Sequence, residues 1–172
     1  LLSIKNDTQS SEKLGAKFYD YIKKNEIENA IILGTNFSST KNKILLNQFV
    51  HGAELKSYEF NLYKTKKQKK EILFNILKSK NTINPKTRYN LDAVLNGVNF
   101  TKDLVSEPGN ILHPDEYAKR LIKLKKFGLK VTIYDEKKLK KLGCNALLGV
   151  GQGSIRGSYL VTMEWKGSKS KS

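Results

Sequence analysis

Cysteine is nearly missing from this chain, and the single one, Cys144, excludes an internal disulfide framework and suits a reducing compartment. Histidine is almost as scarce. His51 and His113 lie 62 positions apart, which excludes a His-rich or Cys-rich metal site built within the chain. No apolar run approaches the roughly 18 residues that a membrane-spanning helix needs. No basic stretch leads into an apolar segment of about 7–15 residues, so there is no signal-peptide pattern. Leu1 stands first and a Ser-Lys-Ser-Lys-Ser string last, which reads as a segment of something longer.

Arginine is scarce too, and that bears on the charge. Of 32 basic residues only Arg88, Arg120 and Arg156 are arginine, set against 16 acids for a net charge of +16. Nucleic-acid readers rely on arginine for bidentate contacts to guanine and phosphate. A lysine-, asparagine- and isoleucine-rich chain of this kind is therefore read first as carrying a solvated lysine coat. Weak, nonspecific, salt-sensitive attraction to nucleic acid is the alternative, with the runs Lys64 to Lys70 and Lys137 to Lys141 as its phosphate contacts.

What is present suffices for a core: 38% of the 172 residues are hydrophobic. Leu14, Phe18, Tyr21 and Ile22 recur at helical spacing from Ser11 to Lys24, with Ser10 or Ser11 as N-cap. Ala30 to Leu33 reads as a buried strand. A helix from about Lys43 to Ser57 turns Leu46, Phe49, Val50, Ala53 and Leu55 inward, and Ile72 to Leu77 is short enough for a second strand. The polar stretch Ser79 to Pro85 is a candidate boundary. The clearest helix runs from Thr87 to Ser106, with Leu91, Val94, Leu95, Val98 and Val105 on one face, and Pro108 stops it. Another restarts at Pro114 and ends at Gly128, a left-handed cap. Leu129 to Tyr134 alternates as a strand, Asp135 caps a lysine-rich helix to Leu142, and Tyr159 to Trp165 forms a last strand. Helices alternating with short strands give an α/β fold.

The candidate chemistries each fall short on residue grounds. The cluster Gly149-Val150-Gly151-Gln152-Gly153-Ser154 has Ser where the dinucleotide fingerprint needs Gly, and no Gly-Lys-Ser/Thr follows, so a tight turn is expected. Cys144 has no histidine near it in sequence and reads as a buried or incidental thiol. Asp103 and Glu107, one turn apart, and Asp92 with the uncharged Asn96 read as solvated or capping groups rather than a two-metal site. His113 before Pro114 reads as a loop or cap residue.

The segment Asn99-Phe100-Thr101-Lys102-Asp103-Leu104-Val105-Ser106-Glu107-Pro108-Gly109-Asn110-Ile111-Leu112-His113-Pro114 resembles the N-x-x-R-D-L-V-N-E-P-x-N-x-L-T-P segment of the leucyl (cytosol) aminopeptidases. Upstream, Gly52 to Lys66 is similar to that family's G-x-x-L-x-x-Y-x-F-x-x-Y-K-T-K stretch. Val131 to Leu139, Leu142-Gly143, Ala146 to Ser154 and Leu160 to Gly167 continue the resemblance in order.

The resemblance implies three parts: a partial N-terminal α/β domain over 1–85, a linker helix and turn over 86–110, and the first α/β elements of the catalytic domain over 111–172. It implies a cytoplasmic metalloaminopeptidase, hexameric in the family, in which two zinc or manganese ions activate a hydroxide against peptide substrates. The family's V-G-K-G-x-x-F-D-[ST]-G-G and N-T-D-A-E-G-R motifs, which carry its metal ligands, do not occur in these residues. No residue here inherits a catalytic, cofactor-binding or metal role, and the chain alone is expected to be inactive. Lys102 stands where the family often has Arg, and His113 where a Thr would cap the helix. An open hydrophobic edge is expected around Leu160 to Met163, with aggregation or a partly molten state unless a partner polypeptide completes the sheet.

Overall fold

The computed structural model describes residues 8–33, 39–65, 73–77 and 84–167. Its elements are helix α1 (Thr8–Lys24), strand β1 (Asn29–Leu33), helix α2 (Thr40–Ser57), strand β2 (Leu73–Leu77), helix α3 (Pro85–Ser106), helix α4 (Pro114–Ile122), a 3-10 helix (Lys123–Phe127), strand β3 (Lys130–Tyr134), helices α5 (Glu136–Lys141) and α6 (Asn145–Gly151), and strand β4 (Leu160–Glu164). The fold is α/β, as the alternation of elements led us to expect. Two compact units divide between Asp103 and Leu104.

In the first unit β1 and β2 pair in parallel, Asn29 opposite Leu73 and Leu33 opposite Leu77, with α2 in the connection. Ser39 caps α2 by accepting a hydrogen bond from Asn42 N at 3.2 Å, so the helix starts three residues before the sequence reading placed it. Leu46, Phe49, Val50 and Ala53 are buried as expected, but so are Leu45, Asn47, His51 and Gly52. Through this stretch α2 has almost no solvent face.

Helix α1 corrects the sequence reading twice. It begins by Thr8, so Ser11 is buried within the helix rather than capping it. Its buried stripe is Ser11, Gly15, Tyr19 and Ile22, while Tyr21, expected inside, is 60% exposed. Gly15, with no side chain, lets the α2 backbone come close at Phe49, and a larger residue there would force the helices apart. Around it, Tyr19, Ile22, Ala30 and Ala53 form one buried cluster and Leu46, Phe49 and Val50 another. Phe18 joins both, its ring 5.3 Å from that of Phe49.

Asn84 caps α3 through a hydrogen bond from Thr87 N, with Pro85 in the first helical position. The apolar stripe expected along α3 is only half covered: Leu104 alone is buried, and Val94 and Val105 are exposed.

In the second unit His113 holds the cap position of α4 in extended backbone without a side-chain cap bond, and Asp115 and Glu116 occupy the first turn. The helix narrows to 3-10 geometry after Ile122 and ends at Gly128, whose φ of 90° is the left-handed conformation expected there. Asp135 caps α5, accepting from Lys138 N at 2.9 Å. Gly149 and Gly151 lie inside α6, not in a turn; the chain reverses only after them. Strand β4 pairs antiparallel with β3, Val131 opposite Met163 and Ile133 opposite Val161. The buried residues of this unit are Leu104, Ala118, Leu121, Val131 and Leu139.

Candidate functional site

The segments that carry the sequence motifs converge on polar contacts. At the end of α2 the carbonyl of Leu55 accepts from Lys102 Nζ at 2.9 Å, and that ammonium sits 5.0 Å from the centre of the Tyr58 ring. Tyr58 donates its hydroxyl proton to Asp103 Oδ1 at 2.8 Å. Two residues of one motif, Lys102 and Asp103, thus grip two of the other, Leu55 and Tyr58. Nearer the start of α3, Arg88 Nη2 reaches Glu54 Oε1 at 2.6 Å and Asp92 Oδ1 at 2.7 Å. Burial opposes the Arg88 charge, but its bond to Glu54 and the two carboxylates outweigh that and raise its pKa.

Past the end of α3, Glu107 lies in the turn and its side chain is 3% exposed. Arg120 on α4 covers it, with Nη1 at 2.7 Å from Glu107 Oε1 and Nε at 3.2 Å from Glu116 Oε1. The bond to Glu107, supported by Glu116, raises the Arg120 pKa against a smaller opposing effect of burial. Pro108 O accepts from Ile111 N and Leu112 N, closing the turn before α4.

These contacts decide the candidates. Asp103 and Glu107 are not a carboxylate pair, since one serves Tyr58 and the other Arg120. Asp92 is half of an i,i+4 ion pair with Arg88. His51 is 2% exposed on α2 in the first unit, whereas His113 and Cys144 occupy helix caps in the second. A shallow groove of about 230 Å³ between α1 and α2 is rimmed by Glu12, Lys13 and Lys56 over Ala16, Gly52 and Leu55, without a nucleophile or histidine. Among the described residues no group of three or more His, Cys, Asp or Glu is placed to hold a metal ion. Of the lysine runs, Lys137 to Lys141 lies within α5 with Lys137, Lys138, Lys140 and Lys141 exposed, while residues 66–70 fall outside the described residues.

Sequence reasoning missed the arginines. Two of the three each bind two carboxylates, and the spacings Arg88–Asp92 and Glu116–Arg120 were the signal that could have found them.

Two models of one family match in order: its N-terminal domain over residues 5–67 and its catalytic domain over residues 99–172. The chain belongs to the cytosol aminopeptidase family. A probable cytosol aminopeptidase of Phytoplasma mali is 45% identical over 145 residues, which are 81% of this chain and 28% of that one. One from Brucella suis biovar 1 is 45% identical over 126 residues, 70% of this chain and 25% of its own. The chain thus spans about a quarter of the length of the curated relatives it matches.

Solved structures agree on the fold. A tomato leucine aminopeptidase mutant gives a TM-score of 0.72 at 24% identity, covering 90% of this chain and 32% of that chain. The bottromycin maturation enzyme BotP, solved in complex with Mn, gives 0.72 at 18%, covering 93% and 34%. The family is a metallopeptidase family. The carboxylates described here do not fit a metal pair, because Arg88, Arg120 and Tyr58 already engage them and, among the described residues, they do not gather into a group of three or more ligands. In the family's frame, the motif residues of this chain are wiring: they fasten α3 to α2 and the turn after α3 to α4. No helix among the described residues is long and apolar enough to cross a membrane.

Proposed function

We propose that this chain is the scaffold part of a cytosol aminopeptidase. It supplies part of the N-terminal domain, the linker helix and the opening elements of the catalytic domain, and it does not itself hold the two divalent ions or hydrolyse peptides. The whole family protein releases N-terminal residues from peptides, with manganese or zinc supplying Lewis-acid chemistry when bound. The residues of this chain contribute position instead. Lys102 and Asp103 lock the linker helix to the first unit, and Arg120 locks the Glu107–Pro108 turn from which the second unit departs.

One observation carries this reading. Family membership extends over both units, yet every acidic residue of the shared motif is engaged by a cation or a phenol. A carboxylate held by an arginine at 2.7 Å is a poor ligand for a second cation, since binding the metal would require breaking that pair. The test is leucine p-nitroanilide hydrolysis by the purified 172-residue chain with added manganese or zinc, together with a calorimetric manganese titration. We expect neither turnover above the buffer blank nor stoichiometric uptake. Steady turnover by the chain alone would refute the proposal.

A further inference from the structure

Among the described residues five buried side-chain polar atoms have no hydrogen-bond partner, and three of them belong to His51 (Nδ1), Glu54 (Oε2) and Arg88 (Nη1). The other two, Asn99 Oδ1 and Asp115 Oδ1, lie farther along α3 and on α4. A donor or acceptor shut away from solvent without a partner is costly, so three at one place call for a partner in common.

The local geometry puts them at one place. Asn47, His51 and Glu54 follow one another at spacings of four and three, so they share a face of α2. At one end of that row Asn47 Nδ2 donates to Asn84 O at 3.0 Å, and at the other Glu54 Oε1 accepts from Arg88 Nη2 at 2.6 Å. Asn84 and Arg88 are themselves one turn apart, Arg88 N donating to Asn84 O at 3.0 Å. His51, 2% exposed, stands between the two tethers and so faces the same first turn of α3. The spare oxygen of Glu54 and the spare nitrogen of Arg88 come from a single ion pair and are neighbours already.

We propose that His51 Nδ1, Glu54 Oε2 and Arg88 Nη1 form a binding site for one internal water molecule, which joins α2 to the first turn of α3. The donor and acceptor inventory selects the ligand. The guanidinium can only donate, so the partner must accept; the carboxylate can only accept, so the partner must also donate. A chloride ion fails at Glu54 and a metal or ammonium ion fails at Arg88. Water meets both requirements and serves the imidazole nitrogen in either tautomer. Three polar contacts are also what an internal water ordinarily makes. The site lies wholly within the first unit, apart from the Lys102 and Asp103 contacts at the other end of α3.

The test is magnetic resonance of the full 172-residue chain with isotope label in histidine only. His51 and His113 are the two histidines, and His113→Gln clears the second signal at a position that makes no side-chain cap bond. We expect a cross-peak between water and His51 Hε1 with the sign of a long-lived bound water, in the parent chain and in His113→Gln alike. Glu54→Met, which takes away the carboxylate acceptor, should weaken that cross-peak by about tenfold or more, since the water would lose one of three partners and the arginine its anchor. Should Glu54→Met fail to fold, a crystal structure of the parent chain decides: one water should lie within about 3.2 Å of all three atoms. Crystals soaked in sodium bromide should show no anomalous peak there. Three results overturn the inference: no long-lived water at His51, a bromide ion in the site, or a cross-peak undiminished in a folded Glu54→Met chain.

Discussion

Gly15 on α1 lies against the main-chain carbonyl of Phe49 on α2, so closely that a Cβ at position 15 would overlap that oxygen and stand 3.0 Å from Ala53 N. Gly52 repeats the arrangement in reverse, meeting the backbone of Glu12. Both neighbours are main chain and have no rotamer to give. Gly15→Ala and Gly52→Ala should therefore each lose about 1–3 kcal/mol, in spite of alanine's better helix propensity. Gly97→Ala on α3, where no atom lies within 4 Å, should gain up to about 1 kcal/mol. Urea unfolding followed by circular dichroism checks all three, and a stabilised Gly15→Ala variant would contradict the close approach.

Arg120 is the cation over the buried Glu107, so removing it leaves a carboxylate at 3% exposure without the guanidinium that faces it. Arg120→Met should destabilise the second unit by about 3 kcal/mol, in the range found when one partner of a buried pair is deleted. Arg156→Met, at an exposed position after α6, should fall within about 0.5 kcal/mol of the parent. Equal losses from the two substitutions, measured by denaturant midpoint, would show that Glu107 does not depend on Arg120.

How far the sequence could be read follows from which forces shape each element. The cap at Asp135, the stop at Pro108 and the left-handed Gly128 are local chemistry, and each stands where the residue type demands. The rotation of α1 was hidden because apolar periodicity assumes that large side chains fill the buried face, whereas Ser11 and Gly15 lie on it and Gly15 meets the α2 backbone by being small. The start of α2 was obscured by a polar stretch before Thr40 in which Ser39 is one of several possible caps. Gly149 and Gly151 sit in α6 although glycine is a weak helix former, so residue type alone pointed to a turn there. The motif residues were visible from the resemblance, but their partners, Arg120 with Glu107 and Tyr58 with Asp103, are set by tertiary contacts that no spacing rule reaches.

Stability should fall at both ends of the pH scale for identifiable reasons. Burial raises the Tyr19 pKa above 10.0, so the folded state keeps the phenol protonated after the unfolded chain has begun to ionise. That contribution is complete below about pH 10 and is lost as pH rises through the folded pKa. The bond from Lys23 lowers the Glu59 pKa below 4.5, so this pair's contribution is present above that value and is lost as pH falls through the folded pKa. Tyr19→Phe should flatten the alkaline limb and Glu59→Gln the acid limb of a plot of urea midpoint against pH. An alkaline limb unchanged by Tyr19→Phe would remove Tyr19 as its cause.

Trp165 is the single tryptophan, so its emission reports on one place, and that place is the turn-facing end of β4. A Cβ added at Gly128 would meet its ring at 3.2 Å, and the φ of 90° there already disfavours any side chain. Gly128→Ala combines a conformational penalty of about 1–2 kcal/mol with a crowded ring. We expect the substitution to lower the unfolding midpoint and to increase iodide quenching of Trp165, because the ring must move off the backbone it now covers. Gly143→Ala, also at positive φ but with no atom within 4 Å, should lower stability without altering the quenching. Were both variants to change Trp165 alike, the indole would be sensing general loosening of the unit, not its contact with Gly128.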